Sequence, residues 1–154
     1  GASKDFQFQL DLSQLEFYGS HPISRPVEAA GTVTNHAGAL ELTGTARSLL
    51  DLACDRCGKE FSREKVVKLD SLVAQELEDE ENDDILLLDG TELDLDQVVT
   101  EAFVLAMDTK NLCSDDCKGL CPKCGADLNQ GPCQCRPETD PRWAALSQLL
   151  KDAE

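Results

Sequence analysis

The residues best suited to chemistry in this 154-residue sequence are its eight cysteines, which occur as four close couples. Three couples fall within residues 113–135, and the fourth lies in the motif C-D-R-C-G-K. A Cys-x-x-Cys motif followed by glycine can place two thiolates on one tetrahedral ion, because glycine relaxes the turn. We therefore predict two structural zinc sites, each with four cysteines. The predicted ligands are Cys54, Cys57, Cys113, Cys117, Cys121, Cys124, Cys133 and Cys135.

Disulfides, redox chemistry and iron–sulfur clusters are the alternatives to zinc. Disulfides are typical of short secreted chains, whereas this sequence shows no signal-like apolar segment, and Cys133 and Cys135 are too close in sequence for easy bridging. The segment Cys121-Pro-Lys-Cys124 resembles a redox dithiol, but a dithiol needs only two cysteines. The spacings also differ from those of ferredoxins. Zinc is favoured, and four thiolates leave no open position for a substrate or water.

The couples can combine into two quartets in three ways. We favour the arrangement in which the two couples of residues 121–135 share one ion, since Gly131-Pro132 provides a turn between them. The couple at 54 and 57 then meets the couple at 113 and 117. That site would close a loop of more than fifty residues, for which a metal clip contributes most to stability.

The charge of the chain limits its choice of partners. The formal net charge is −16, and a potential of that sign repels phosphate backbones. A basic protein partner is therefore favoured over free RNA, although an acidic surface also serves solubility alone. Seven of the nine residues 76–84 are acidic, which predicts a solvated loop, with mimicry of phosphate as the alternative. No apolar run reaches the roughly 18 residues that span a membrane, and reduced cysteines indicate a cytoplasmic location.

The densest basic cluster surrounds the first cysteine couple. It could contact a protein partner or RNA, or it could be the ordinary polar face of a strand. The cluster comprises Arg56, Lys59, Arg63, Lys65 and Lys68.

Alternation of apolar and polar residues predicts strands over residues 6–12, 27–33, 40–46 and 61–72. The segment Asn35-His36-Ala37-Gly38 is a plausible hairpin turn between the second and third strands. The third strand continues directly towards Cys54, so the first cysteine couple is expected at a hairpin tip.

Two helices are predicted. The first spans about 94–107, because apolar residues recur there with helical spacing behind an Asp94 N-cap. The second begins at Asp140-Pro141 and has an apolar side with Trp143. We expect this side to pack on the core, since a lone tryptophan is usually buried; a role in recognising a partner is the alternative.

These elements predict an α+β fold. An antiparallel β-sheet or partly open barrel would be covered by the amphipathic helix and followed by a C-terminal zinc-ribbon-like module. We expect a β-rich core domain over residues 1–110. Residues 111–154 would form the cysteine-rich module with its short C-terminal helix.

Three motifs resemble the YceD family of large ribosomal RNA subunit accumulation proteins. One is the C-x-R-C-G-x-x-F knuckle at residues 54–61. Another is the apolar run ending at Leu88, followed by Asp89-Gly90 and the first predicted helix. The last is C-x3-C-K-G-L-C-P-x-C-G…G-P-C-x-C followed by D-P-R-W, which is typical of one cysteine-rich branch.

The resemblance implies a non-enzymatic role in accumulation or processing of large-subunit ribosomal RNA, with a ribosomal or ribosome-assembly protein as partner. It implies no catalytic residues and no small-molecule substrate. A redox-sensing zinc chaperone, in which oxidation ejects the metal, is the alternative function. An enzyme is disfavoured because the sequence lacks the histidine motif of zinc deaminases, a phosphate-binding glycine loop and a nucleophile elbow.

Overall fold

The computed structural model describes residues 1–74, 85–88, 91–135 and 140–152. The acidic run at 76–84 and the turn signal at Asp89-Gly90 lie outside these residues, so the predictions made for them stay predictions.

Five strands form one open sheet in the order in which they occur along the chain. The first four strands pair antiparallel, and the fifth runs parallel to the fourth. The α+β prediction is confirmed, in the form of a mostly antiparallel open sheet. The strands are β1 (Ser3–Leu10), β2 (Val27–His36), β3 (Ala39–Ala53), β4 (Glu60–Ala74) and β5 (Ile85–Leu87).

The sheet has one buried face and one exposed face, as period-two alternation requires. In β3, Leu42, Ala46 and Leu50 are buried, while Thr43 and Thr45 between them are exposed. This alternation fixes the register, because a slip of one residue would move the apolar set to the solvent face.

Two glycines occupy positions in the sheet that leave no room for a side chain. Gly31 and Gly44 lie opposite each other in the β2–β3 ladder. A Cβ atom at Gly31 would lie 2.2 Å from the carbonyl oxygen of Thr43 and 2.7 Å from the Phe6 ring. The ring of Phe6 therefore covers backbone at a position that admits no side chain.

The β2–β3 hairpin turns where the sequence predicts. Ala37 and Gly38 both adopt positive φ, at 54° and 102°, as the favoured two-residue hairpin turns require. Asn35 stabilises the turn by accepting a hydrogen bond from the Gly38 N–H through Oδ1, at 2.8 Å.

Helix α1 (Leu95–Ala106) covers the buried face of the sheet together with the loop at residues 11–26. Asp94 caps the helix by accepting from the Gln97 N–H. Val99 and Phe103 are fully buried against Ile23 and other core residues. The predicted apolar stripe is confirmed, and the end of α1 directs the chain towards the cysteine-rich segment.

Helix α2 (Pro141–Lys151) corrects one prediction. Asp140 caps it as expected, accepting from the Arg142 N–H at 2.9 Å, but none of its residues is buried. Trp143 is 59% exposed, and Leu149 and Leu150 are more exposed still. The expectation that this helix packs on the core is wrong, because α1 and the loop at 11–26 already fill the face that it would have covered.

No helix among the described residues is long and apolar enough to cross a membrane.

Candidate metal centre

The β3–β4 hairpin carries the first cysteine couple at its tip. The Cys54 N–H donates to the Lys59 carbonyl at 2.8 Å, and the Gly58 N–H donates to the Cys54 carbonyl at 2.9 Å. Gly58 has φ 74°, a left-handed conformation that favours glycine. This tight turn directs the Cys54 and Cys57 side chains to one side.

The second knuckle repeats the same backbone pattern. The Cys121 N–H donates to the Ala126 carbonyl at 2.8 Å, and the Gly125 N–H donates to the Cys121 carbonyl at 2.9 Å. Gly125 has φ 72°. The two Cys-x-x-Cys-Gly segments therefore fold in the same way, although one joins two long strands and the other belongs to a compact loop.

The eight sulfur atoms form two quartets, and within each quartet all sulfurs lie within 4.8 Å of one another. The favoured grouping of the couples is confirmed. We call the first quartet the hairpin-tip site and the second the ribbon site. The hairpin-tip site comprises Cys54, Cys57, Cys113 and Cys117, and the ribbon site comprises Cys121, Cys124, Cys133 and Cys135.

The donor set fits a tetrahedral metal ion. Zinc–sulfur bonds of about 2.3 Å at tetrahedral angles place the sulfurs about 3.8 Å apart. At the hairpin-tip site, Sγ of Cys54 lies 3.7 Å from Sγ of Cys117, and the same distance separates Cys57 and Cys113. A disulfide needs about 2.05 Å, and all eight cysteines are free thiols. These residues would hold zinc as a cross-link between chain segments.

Each quartet contains one thiol whose pKa is lowered and at least one whose pKa is raised. Backbone N–H groups of Cys113 and Cys57 lower the pKa of Cys54 to about 6. Burial and the hydrogen-bonded Cys57 thiol raise the pKa of Cys113 to about 12. A first thiolate thus forms readily, and further negative charge in so small a space requires a cation.

The same division occurs at the ribbon site. Backbone N–H groups of Cys124 and Lys123 lower the pKa of Cys121 to about 6. The hydrogen bond with Cys124, followed by burial, raises the pKa of Cys135 to about 12. In both quartets, therefore, the negative charge of several thiolates would need a bound cation to offset it.

Polar contacts join the hairpin tip to the segment that follows α1. The Asp55 N–H donates to the Asn111 carbonyl at 2.8 Å, and the Asn111 N–H donates to Asp55 Oδ2 at 2.6 Å. Arg56 Nη1 donates to the Cys117 carbonyl at 2.8 Å. These bonds bring Cys113 and Cys117 to the first couple.

Three members of the predicted basic cluster hold this segment in place. Besides Arg56, Arg63 lies over the Phe61 ring and donates to the Leu112 carbonyl at 2.6 Å. Lys65 pairs with Asp108 at 3.1 Å. These cations act within the chain, which gives them a structural role whatever else they contact.

The remaining two members lie apart from each other. Lys59 is exposed at the hairpin tip, and Lys68 is exposed on the opposite face of β4 from Arg63 and Lys65, by strand alternation. Within the described residues, the side-chain ammonium groups of Lys59 and Lys68 make no hydrogen bond or ion pair. The structure thus splits the cluster, while partner or RNA contact by these residues stays a prediction.

Sequence reasoning missed Asn129, which lies in the loop of the ribbon site but contacts the hairpin-tip site. Its Nδ2 donates to Sγ of Cys117 at 3.3 Å, and its Oδ1 accepts from the Lys118 N–H at 2.8 Å. An asparagine two residues before a glycine is typical of a turn, so the sequence carries no signal for this role.

The two sites differ in exposure. Cys54 and Cys117 are buried at the hairpin-tip site, whereas at the ribbon site Cys121 is buried and Cys124 is exposed. The ribbon site is therefore the more accessible to solutes such as chelators and oxidants.

The fold and the two quartets define a small cysteine-rich α+β protein with two four-cysteine clusters that could hold metal ions. Residues 42–150 match the family described as large ribosomal RNA subunit accumulation protein YceD. The chain belongs to the YceD family.

Curated relatives come from bacteria and from plants. An uncharacterized protein of Mycobacterium tuberculosis is 33% identical over 113 residues, covering 71% of this chain and 55% of that protein. The Arabidopsis thaliana protein named large ribosomal RNA subunit accumulation protein YCED homolog 1, chloroplastic, is 26% identical over 167 residues. That match covers 87% of this chain and 51% of the plant protein.

A protein of the same name from Zea mays is 26% identical, covering 89% of this chain and 57% of that protein. The chain thus spans about half the length of these curated relatives. No solved structure matches it.

Proposed function

We propose that this chain is a non-enzymatic, zinc-stabilised cytoplasmic factor that supports accumulation of large-subunit ribosomal RNA through a basic protein partner in ribosome assembly. Membership of the YceD family carries the proposal. The arrangement of the two quartets, the charge of the chain and the exposed side of α2 support its parts.

The quartets support a structural role for the metal. A zinc ion bound by four thiolates has its coordination complete, so it cross-links the chain and offers no position to a substrate. The hairpin-tip site joins residues 54–57 to residues 113–117, so its loss would remove a cross-link between the sheet and the segment after α1. Such a cross-link is useful to a protein whose surface must be presented rigidly.

The charge supports a basic protein as partner. The chain carries a net charge of −16, and three cations of the basic cluster, Arg56, Arg63 and Lys65, are occupied by contacts within the chain. Phosphate groups would meet a repulsive field, whereas a ribosomal protein, which is basic because it binds RNA, would meet an attractive one.

The apolar side of α2 supplies a contact surface for this partner. Trp143, Leu146 and Leu150 follow the spacing of a helix that inserts into a groove, and each is about half exposed or more. Tryptophan is prominent among residues that dominate binding energy. We propose that this side of α2 binds in an apolar groove on the basic partner. The negative electrostatic field of the chain would attract the partner and guide association.

Binding can be tested with two defined probes: large-subunit ribosomal proteins freed of RNA, and large-subunit RNA freed of protein. The zinc-loaded chain should bind the protein probe, with an affinity that falls at high salt, and should not bind the RNA. The double variant Trp143→Ala/Leu150→Ala should lose at least ten-fold in affinity.

The matched control is Tyr18→Ala/Leu105→Ala, which removes an aromatic and an aliphatic side chain that are 85% and 86% exposed elsewhere on the chain. This control should bind as the unmodified chain does. Binding to RNA but not to protein would refute the proposed partner. Equal losses of affinity in the two double variants would show that the apolar side of α2 is not the contact surface for the partner.

The cellular role is tested by the ratio of large- to small-subunit ribosomal RNA in a strain that lacks its own copy of the protein. We expect the chain to restore the ratio and Trp143→Ala/Leu150→Ala to restore it poorly. A ratio that does not depend on the protein would refute the role in RNA accumulation.

A redox-sensing chaperone is the second candidate, and the exposure of Cys124 favours it. Hydrogen peroxide would take two electrons from two ribbon-site thiolates, which become a disulfide while the peroxide is reduced to two hydroxide ions and the metal leaves. Suppression of aggregation of a heat-denatured client only after peroxide treatment would support this function. Indifference to peroxide would exclude it.

A further inference from the structure

The two metal sites meet at one side chain. Asn129 belongs to the loop enclosed by the ribbon site, yet its Nδ2 donates to the Cys117 sulfur of the hairpin-tip site at 3.3 Å. Its Oδ1 accepts from the Lys118 N–H at 2.8 Å. The side-chain amide therefore bridges the Cys117 sulfur and the backbone N–H of the next residue. Both polar atoms are used, which fixes the orientation of the amide group.

The ribbon site determines where Asn129 lies. The loop that presents it is hydrogen-bonded to the segment between the sites: the Leu128 N–H donates to the Gly119 carbonyl at 2.9 Å, and Leu120 forms a β-bridge with Asp127. Asn129 itself is held by a hydrogen bond from its N–H to Asp127 Oδ1 at 2.9 Å. Cross-linking Cys121 and Cys124 to Cys133 and Cys135 closes this loop at both ends.

Residues 117–120, which lie between the two sites, also pack against the hairpin tip. Gly119 is buried and has φ 75°, and a Cβ there would lie 3.2 Å from the Arg56 carbonyl oxygen. Arg56 in turn donates to the Cys117 carbonyl. A displacement of residues 117–120 would therefore disturb both the Cys117 ligand and the loop that carries Asn129.

We propose that Asn129 is a positioning residue that couples the two metal sites, so that metal in the ribbon site strengthens metal binding at the hairpin-tip site. A hydrogen bond to a ligating thiolate orients the sulfur and offsets its charge, and loss of such a contact typically weakens metal binding about 10- to 100-fold. By thermodynamic linkage, metal at the hairpin-tip site strengthens the ribbon site by the same factor.

The inference rests on the metal-binding part of the proposed function and not on its partner. The experiment measures the zinc affinity of the hairpin-tip site in the reduced full chain by competition with a chelator. Alkylation of the freed cysteines followed by peptide mapping assigns each release step to one site. Absence of zinc binding by the unmodified chain would refute the metal sites themselves, whereas zinc binding that does not respond to substitution of Asn129 would refute only the coupling.

Three substitutions separate the contributions of the side chain. Asn129→Ala removes both hydrogen bonds. Asn129→Asp keeps an oxygen for the Lys118 N–H but replaces the donor facing Cys117 with a carboxylate oxygen. Gln130→Ala is the matched control, because Gln130 is the exposed neighbour and its side chain makes no hydrogen bond within the described residues.

We expect the hairpin-tip site to bind zinc at least ten-fold more weakly in Asn129→Ala and Asn129→Asp, and unchanged in Gln130→Ala. Emptying the ribbon site with Cys121→Ser/Cys124→Ser should cause a comparable loss. Combining these serines with Asn129→Ala should cause little further loss, since both changes remove the same contact.

The cobalt-loaded forms provide a readout that does not depend on affinity. Their absorption bands should keep the pattern of four-thiolate tetrahedral coordination in Asn129→Ala, which shows that the site still assembles. Affinity within two-fold of Gln130→Ala would overturn the proposal, as would fully additive losses from the serine and alanine variants.

Discussion

Arg56 donates a 2.8 Å hydrogen bond from Nη1 to the carbonyl oxygen of Cys117, a residue sixty-one positions further along the chain. The bond crosses from the β3–β4 hairpin tip to the segment that supplies the other two ligands of the hairpin-tip site. Because Arg63 and Lys65 contact the same segment at Leu112 and Asp108, the site is assembled by polar contacts as well as by its thiols.

Replacing Arg56 should destabilise the folded chain although the arginine is exposed. Arg56→Ala leaves the Cys117 carbonyl without this charged donor, and we expect a loss of about 1 kcal/mol in the free energy of unfolding. Urea unfolding of the zinc-loaded protein, followed by far-ultraviolet circular dichroism, measures the loss.

The matched control for Arg56 is Lys59→Ala, three residues along the same knuckle, because the Lys59 side chain has no partner among the described residues. It should change the free energy of unfolding by less than about 0.5 kcal/mol. Equal losses in the two variants would contradict the structural role of Arg56. This distinction also matters for tests of binding, since charge reversal at Arg63 would break a contact within the chain, whereas reversal at Lys59 would not.

The exposed position of Trp143 predicts the fluorescence of the protein, because the chain contains one tryptophan. We expect emission typical of an indole in water and strong quenching by acrylamide. Trp143→Ala should change the free energy of unfolding by less than about 0.5 kcal/mol, since no buried contact is lost. Blue-shifted emission, or a loss of about 2 kcal/mol or more, would indicate that α2 packs on the core after all.

Zinc binding should release protons and weaken in acid. At pH 7 Cys113 and Cys135, each with a pKa of about 12, carry protons that a metal must displace, so loading both sites releases at least two protons per chain. Because Cys54 and Cys121 have a pKa of about 6, each site must displace a further proton below that pH, and affinity falls more steeply.

A pH indicator in weakly buffered solution counts the protons released when zinc is added to the reduced, metal-free chain. Chelator competition at several pH values gives the affinity. Binding without proton release, or an affinity that rises as the pH falls from 7 to 5, would contradict the thiol assignment.

Most of the sheet and α1 could be predicted from the sequence because their patterns are strictly local. Alternation identified β2, β3 and β4, and Asp94 with the stripe that includes Val99 and Phe103 identified α1. The ends of the elements were harder to predict. Strand β1 begins at Ser3 rather than Phe6 and ends at Leu10 rather than Leu12. Leu12 is buried from the following loop, and burial alone does not reveal whether a residue lies in a strand.

The grouping of the cysteines could be predicted because couples fix half of each quartet and chain geometry favours one combination. Contacts that depend on the folded arrangement could not be predicted from the sequence. Asn129 at Cys117 and Arg63 at Leu112 join segments far apart or in different loops, so no local pattern marks them. The burial of Trp143 was predicted wrongly because residue type alone does not show whether the core still has a free surface.

The two closed four-thiolate sites are the central claim, and native mass spectrometry of the reduced protein with metal analysis of the same sample tests it most directly. We predict two zinc ions per chain and eight cysteines without disulfides. A single ion, or none together with disulfide-linked cysteines, would contradict the claim.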